Sequence, residues 1–131
     1  MASKITPFLM FHGEAEEAMT FYLSLFANSK MIDIKRYGAE GPGREGTVMR
    51  ATIALAGSEI MCIDSAVKHP FTFTPATSLF VTCETEEEIT RLAAELGKGG
   101  KVFMPLDAYP FATKFTWFTD RFGVSWQLSL S

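Results

Sequence analysis

At 131 residues, 47% hydrophobic and 21% charged, the chain has the size and apolar content of a single globular domain, which excludes a disordered or fibrous protein. Its net charge is −3, and apart from the pair Lys35-Arg36 its basic residues are scattered singly, so there is no basic stripe for a phosphate backbone and nucleic acid is excluded as a partner. No signal-type apolar stretch opens the sequence and no run is long enough to span a bilayer, so the expectation is a cytoplasmic protein without membrane contact.

In chain order, Ile5–Phe11 is apolar and strand-like, and Glu14–Phe26 then places Ala15, Ala18, Met19, Tyr22, Leu25 and Phe26 on one helical stripe. Asn28-Ser29 ends that helix. Lys30–Tyr37, Thr47–Ala56 and Glu59–Asp64 read as three strands, the last two joined by a tight turn at Ala56-Gly57-Ser58. Thr77–Cys83 is the next apolar strand. Thr85-Glu86-Glu87-Glu88 has the spacing of a capping box, in which Thr85 and Glu88 satisfy each other's backbone amides. Ile89, Leu92, Ala93 and Leu96 continue a helix that stops at Gly97, and strands follow near Lys101–Met104, Thr113–Asp120 and Val124–Leu130. The order strand-helix-strand-strand-strand is thus written twice. The reading is an α+β fold in one domain, with module one at residues 5–65, a linker at 66–76 and module two at 77–131. In the last strand, Val124, Trp126, Leu128 and Leu130 alternate with Ser125, Gln127 and Ser129, so the first set faces a helix and the second faces away. Two such sheets side by side would form a cup lined by the residues that point away from the helices.

Several features have both a chemical and an ordinary reading. Cys62 and Cys83 sit in apolar strands without CxxC spacing, as buried reduced thiols do. Gly41-Pro42-Gly43-Arg44-Glu45-Gly46 matches GxGxxG, but a strand follows it instead of a helix. It therefore lacks the helix N-terminus that seats a phosphate, and Gly38–Gly46 reads as a mobile loop at the mouth of the cup. His12 and His69 are polar loop residues that can shuttle a proton, and a metal held by both together with Asp64 would require the linker to fold into the cup.

The repeated βαβββ order resembles the vicinal oxygen chelate superfamily of glyoxalases, bleomycin-resistance proteins and extradiol dioxygenases. More narrowly, Ile5–Phe11, Phe21-Tyr22, Phe73-Thr74-Pro75-Ala76 and above all Asp120-Arg121-Phe122-Gly123-Val124-Ser125-Trp126-Gln127 resemble its PhnB-like branch, whose members are often labelled 3-demethylubiquinone-9 3-methyltransferase-like. The resemblance implies a glyoxalase-like cup of mixed sheet with helices outside, a small-molecule ligand and a homodimer. It also implies where metal ligands would stand. Those positions carry Pro7, Ser78 and Gln127, with a carboxylate only at Asp64, so no metal and no other cofactor is expected.

The ligand-position argument turns Asp64 and Cys62, two apart on one strand, toward the cup. Asp64 there is either a general base, with Gln127 as orienting donor, or a cap on the loop that follows it. Cys62, Phe71, Phe115, Trp117, Ser125 and Gln127 are the candidate ligand contacts: aromatic rings for a planar or apolar molecule, and Ser125 and Gln127 as polar anchors. The functional reading is metal-independent binding of a small organic molecule, with proton-transfer, isomerase or lyase chemistry as one possibility. Sequestration of a drug or metabolite without catalysis and a metal-dependent enzyme with a non-standard site are the alternatives.

Overall fold

A computed structural model describes residues 1–131. The chain divides into two compact units, Met1–Thr72 and Phe73–Ser131. The first holds β1 (Phe8–Phe11), α1 (Ala15–Leu25), β2 (Lys30–Arg36), β3 (Val48–Leu55) and β4 (Ser58–Asp64). The second holds β5 (Leu79–Cys83), α2 (Glu86–Gly97), β6 (Lys101–Tyr109), β7 (Ala112–Thr119) and β8 (Ser125–Leu130). Their sheets share one topology, β1-β4-β3-β2 and β5-β8-β7-β6, with the first pair of each parallel and the other pairs antiparallel. No helix is long and apolar enough to cross a membrane.

In the first unit α1 packs on β3 and β4 and buries Ala15, Ala18, Met19, Tyr22 and Leu25, and Ile53, Ile60 and Phe11 of the sheet are buried as well. The β3–β4 turn depends on its sequence. Ala56 and Gly57 both take positive φ (50° and 86°), which matches the twist of a two-residue hairpin. β1 is shorter than the Ile5–Phe11 run, because Pro7 has no N–H to donate and only its carbonyl joins the sheet, accepting from Met61 N at 2.9 Å.

In the second unit α2 packs on all four strands, with Ile89, Leu92 and Leu96 buried beside Trp126 and Leu128. Its cap is the expected one with a shift of partner. Thr85 Oγ1 accepts from Glu88 N at 3.1 Å, while Glu88 Oε1 accepts from Glu84 N, one residue earlier than a reciprocal box requires. β6 runs five residues beyond the strand expected at Lys101–Met104. Pro105 lies within it, and it is tolerated because β6 is an edge strand with register shifts against β7. Just before β6 the backbone passes so close to β7 that a Cβ at Gly100 would stand 1.7 Å from Thr119 O.

Candidate functional site

The helix-facing side of each sheet can be fixed from single contacts. In the first unit Asp64 Oδ1 accepts from Ala15 N at the start of α1 (2.9 Å) and from Gly13 N (2.7 Å), so the Asp64 side of β4 is the helix side. Cys62 and Ile60 share that side by period-two alternation, and both are buried. This corrects the expectation that Cys62 and Asp64 line the open face, which rested on a family ligand position and not on the strand's own packing. Asp64 is 2% exposed, and its second oxygen accepts from Val48 N at 2.9 Å. One carboxylate thus ties the entry to α1 and the start of β3 to the end of β4. Of its two sequence readings these bonds describe a cap, although it caps the segment leading into α1 and not the loop that follows β4. Burial, reinforced by the charge of Asp64, pushes the Cys62 thiol up from 9.0 to about 12, so it stays protonated and is a poor nucleophile at neutral pH.

The linker residue Phe71 belongs to the first unit and is exposed. Its ring stacks on His69 (4.8 Å between centroids), whose ring meets His12 edge-on at 6.1 Å, in a groove of about 430 Å³ that Ser65 and Lys68 also line. The Gly38–Gly46 segment joins β2 to β3 and leads into no helix. Contrary to a free loop, it is bound back at its base: Gly46 N donates to Tyr37 O and Tyr37 N to Thr47 O, both at 2.9 Å, and buried Tyr37 donates its hydroxyl to Asp64 O at 2.9 Å.

In the second unit Gly97 of α2 lies against Phe118, so Phe118 and its β8 partner Trp126 face the helix. Phe115 and Trp117 therefore face the other way, opposite Ser129 and Gln127, as does Phe80 of β5, opposite Gln127. This open face carries a connected polar chain. Trp117 Nε1 donates to Ser125 Oγ at 2.9 Å, Ser125 Oγ and Ser78 Oγ are 2.7 Å apart, and Gln127 Nε2 donates to Ser78 Oγ at 3.3 Å. Aromatic rings surround it. Phe103 lies 5.0 Å from Trp117, and Phe115 meets Phe111 edge-on at 4.9 Å and Tyr109 at 5.9 Å. Phe111 itself is 63% exposed and stacks on Tyr109. The structure thus brings Phe115, Trp117, Ser125 and Gln127 together on one face of one sheet. Reading the sequence treated Ser78 only as a missing metal ligand and did not single out Phe80 or Phe103. The signal for Phe80 lay in the register of β5 against β8, which a sequence does not display.

The residues at the family's metal positions do not fit a metal. Pro7 has no donor side chain, Ser78 and Gln127 are neutral and bonded to each other, and both oxygens of Asp64 are taken by backbone amides on the helix side. No group of three or more His, Cys, Asp or Glu residues is gathered to hold an ion, so His12, His69 and Asp64 form no such set.

Two mixed four-stranded sheets of identical order, each with a helix on one side, define the glyoxalase/bleomycin-resistance fold of the vicinal oxygen chelate proteins. A domain of that description from a Frankia species has the same fold, with a TM-score of 0.66 over 100% of this chain and 93% of that one at 16% identity. Within this class the chain belongs to the family described as 3-demethylubiquinone-9 3-methyltransferase, whose model matches residues 3–129. A Bacillus cereus protein provisionally described as a 3-demethylubiquinone-9 3-methyltransferase, PhnB protein, is 60% identical, with a TM-score of 0.95 over 98% of this chain and 100% of that one. A Pseudomonas aeruginosa protein is 27% identical, with a TM-score of 0.86 over 99% and 98%. Among curated proteins none matches the sequence.

Proposed function

We propose that the protein binds a small, planar organic molecule on the open face of its second sheet, and does so without a metal ion. The observation that carries this reading is the chain Trp117–Ser125–Ser78–Gln127 set among Phe80, Phe103 and Phe115: a few fixed polar groups within an aromatic surround, the usual make-up of a small-molecule site. A binding role is favoured over proton transfer because these residues include no ionisable group, and the one candidate base, Asp64, already accepts three backbone amides. Methyl transfer, named in the family's description, gains no support from the glycine-rich segment, which runs between two strands and offers no helix N-terminus. A cytoplasmic homodimer remains part of the proposal on the strength of the family likeness.

The test uses the two tryptophans as reporters. Trp126 is buried and bonded to Asp120, whereas Trp117 is half-buried on the proposed site. A panel of planar aromatic compounds, with metal removed by chelation, is expected to raise the melting temperature and quench fluorescence in the native protein, and the quenching should vanish in Trp117→Phe. A panel that leaves both signals unmoved, or that acts only after a divalent metal is restored, overturns the reading.

A further inference from the structure

The hydrogen atoms in the polar chain can be assigned one by one, and the assignment specifies what a ligand must offer. An indole N–H only donates, so Ser125 Oγ is an acceptor toward Trp117. Ser78 Oγ is likewise an acceptor toward the Gln127 amide. The two serines share one bond, in which a single hydroxyl hydrogen takes part. Ser125 is 2% exposed and has no other acceptor in its bonds, so its hydrogen must point to Ser78; otherwise a buried donor would be left unpaired. The hydroxyl hydrogen of half-buried Ser78 is then spent on no protein group, and neither are Gln127 Oε1 and the second hydrogen of Gln127 Nε2. Ser78 and Gln127 therefore present an adjacent donor and acceptor. Neither they nor the nearby Phe80, Phe115, Trp117 and Ser129 carry a charge.

Resting on the binding role proposed above, we propose that the ligand is a neutral aromatic lactam or carboxamide. Its carbonyl accepts from the Ser78 hydroxyl and the free Gln127 N–H, its N–H donates to Gln127 Oε1, and its ring lies among Phe80, Phe115 and Trp117. A carboxylate of the same shape is disfavoured, because its charge would be set against Gln127 Oε1 and no cation bonds Ser78 or Gln127, Lys101 lying instead over the Phe103 ring at 5.5 Å. An ester or ether of the same shape lacks the N–H and leaves that oxygen unpaired.

The experiment follows the Trp117 indole and Gln127 side-chain amide resonances in ¹H–¹⁵N spectra of the full chain. The titrants are quinolin-2(1H)-one, which carries the lactam edge, 2-methoxyquinoline, which has the same rings without the N–H, and quinoline-2-carboxylate. The lactam is expected to bind about tenfold more tightly than the methoxy compound, the ratio that one hydrogen bond supplies. That preference should shrink to about one in Gln127→Leu and in Ser78→Ala, two half-buried positions whose replacement leaves the helix-facing core intact. Equal affinity for the lactam and methoxy compounds in the native protein, or preference for the carboxylate, overturns the lactam assignment while leaving the binding role standing. No resonance shift with any of the three overturns both. Lactam affinity that falls as protein concentration rises means a second copy of the chain occupies the face, and that also overturns the assignment.

Discussion

Asp64→Asn separates the two roles that a carboxylate at the end of β4 can play. Asparagine keeps the shape and one carbonyl oxygen, which can still accept from Gly13 N and Ala15 N. Its amide nitrogen takes the place of Oδ2 and faces Val48 N, now 2.9 Å donor to donor. Losing one buried bond to a charged acceptor costs about 1.5–3 kcal/mol, and the two that remain weaken to neutral bonds, so the whole change costs about 3–5 kcal/mol. For a chain of this size that lowers the melting temperature by about 10 °C or more. Thermal and urea unfolding followed by circular dichroism reads the effect directly. A variant within about 2 °C of the native protein would refute the cap, and if such a variant had also lost an activity that the native protein shows, Asp64 would be a base after all.

Asp120→Asn is expected to destabilise the second unit by about 2–4 kcal/mol, since Oδ2 accepts from Trp126 Nε1 at 2.8 Å and Oδ1 from Phe122 N and Val124 N; loss of the Trp126 near-ultraviolet dichroism should accompany the fall in urea midpoint. Alkaline pH should destabilise the fold through Cys62. Below pH 9 the thiol is protonated both folded and unfolded. Between 9.0 and about 12 only the unfolded chain releases the proton, so stability falls by at most about 1.4 kcal/mol per pH unit for this one group. Urea midpoints measured from pH 8 to pH 10.5 should fall less steeply in Cys62→Ala than in the native protein, and native Cys62 should resist thiol reagents at pH 8. Gly100→Ala should cost several kcal/mol, about as much as severe overpacking does, because its methyl would have to displace the Thr119 backbone; a soluble variant with an unchanged urea midpoint would contradict that close approach.

The repeated element order was legible because each signal was local. The helical stripe at Ala15–Leu25, the Thr85–Glu88 cap and the alternation in β8 all depend on residues within a few positions of one another. The same alternation correctly separated Trp126 and Leu128 from Ser125 and Gln127. Where a residue's role depended on a distant strand, sequence reasoning did less well. Cys62 and Asp64 were known to share a face, but which face was fixed by bonds from Asp64 to Gly13, Ala15 and Val48, none of them within ten positions of it in the chain. Ser78 and Gln127 are 49 positions apart, and nothing near either one announces that they meet. Pro105 hid the second half of β6, because a proline argues against a strand until the strand is known to lie at an edge.

The parallel pairing of β1 with β4 bears on the order in which the chain can be built. β1 is synthesised before the other strands of its sheet but has no partner until Met61 to Asp64 follow, so its apolar residues, Phe8 and Phe11 among them, must wait through the synthesis of the helix and two strands. Once Asp64 is made, every strand of the first sheet and every backbone amide that its carboxylate receives are present, while β5 has yet to be synthesised. Asp64 thus acts as a completion mark: the residue whose arrival supplies the last strand also fastens the entry to the helix made some fifty residues earlier.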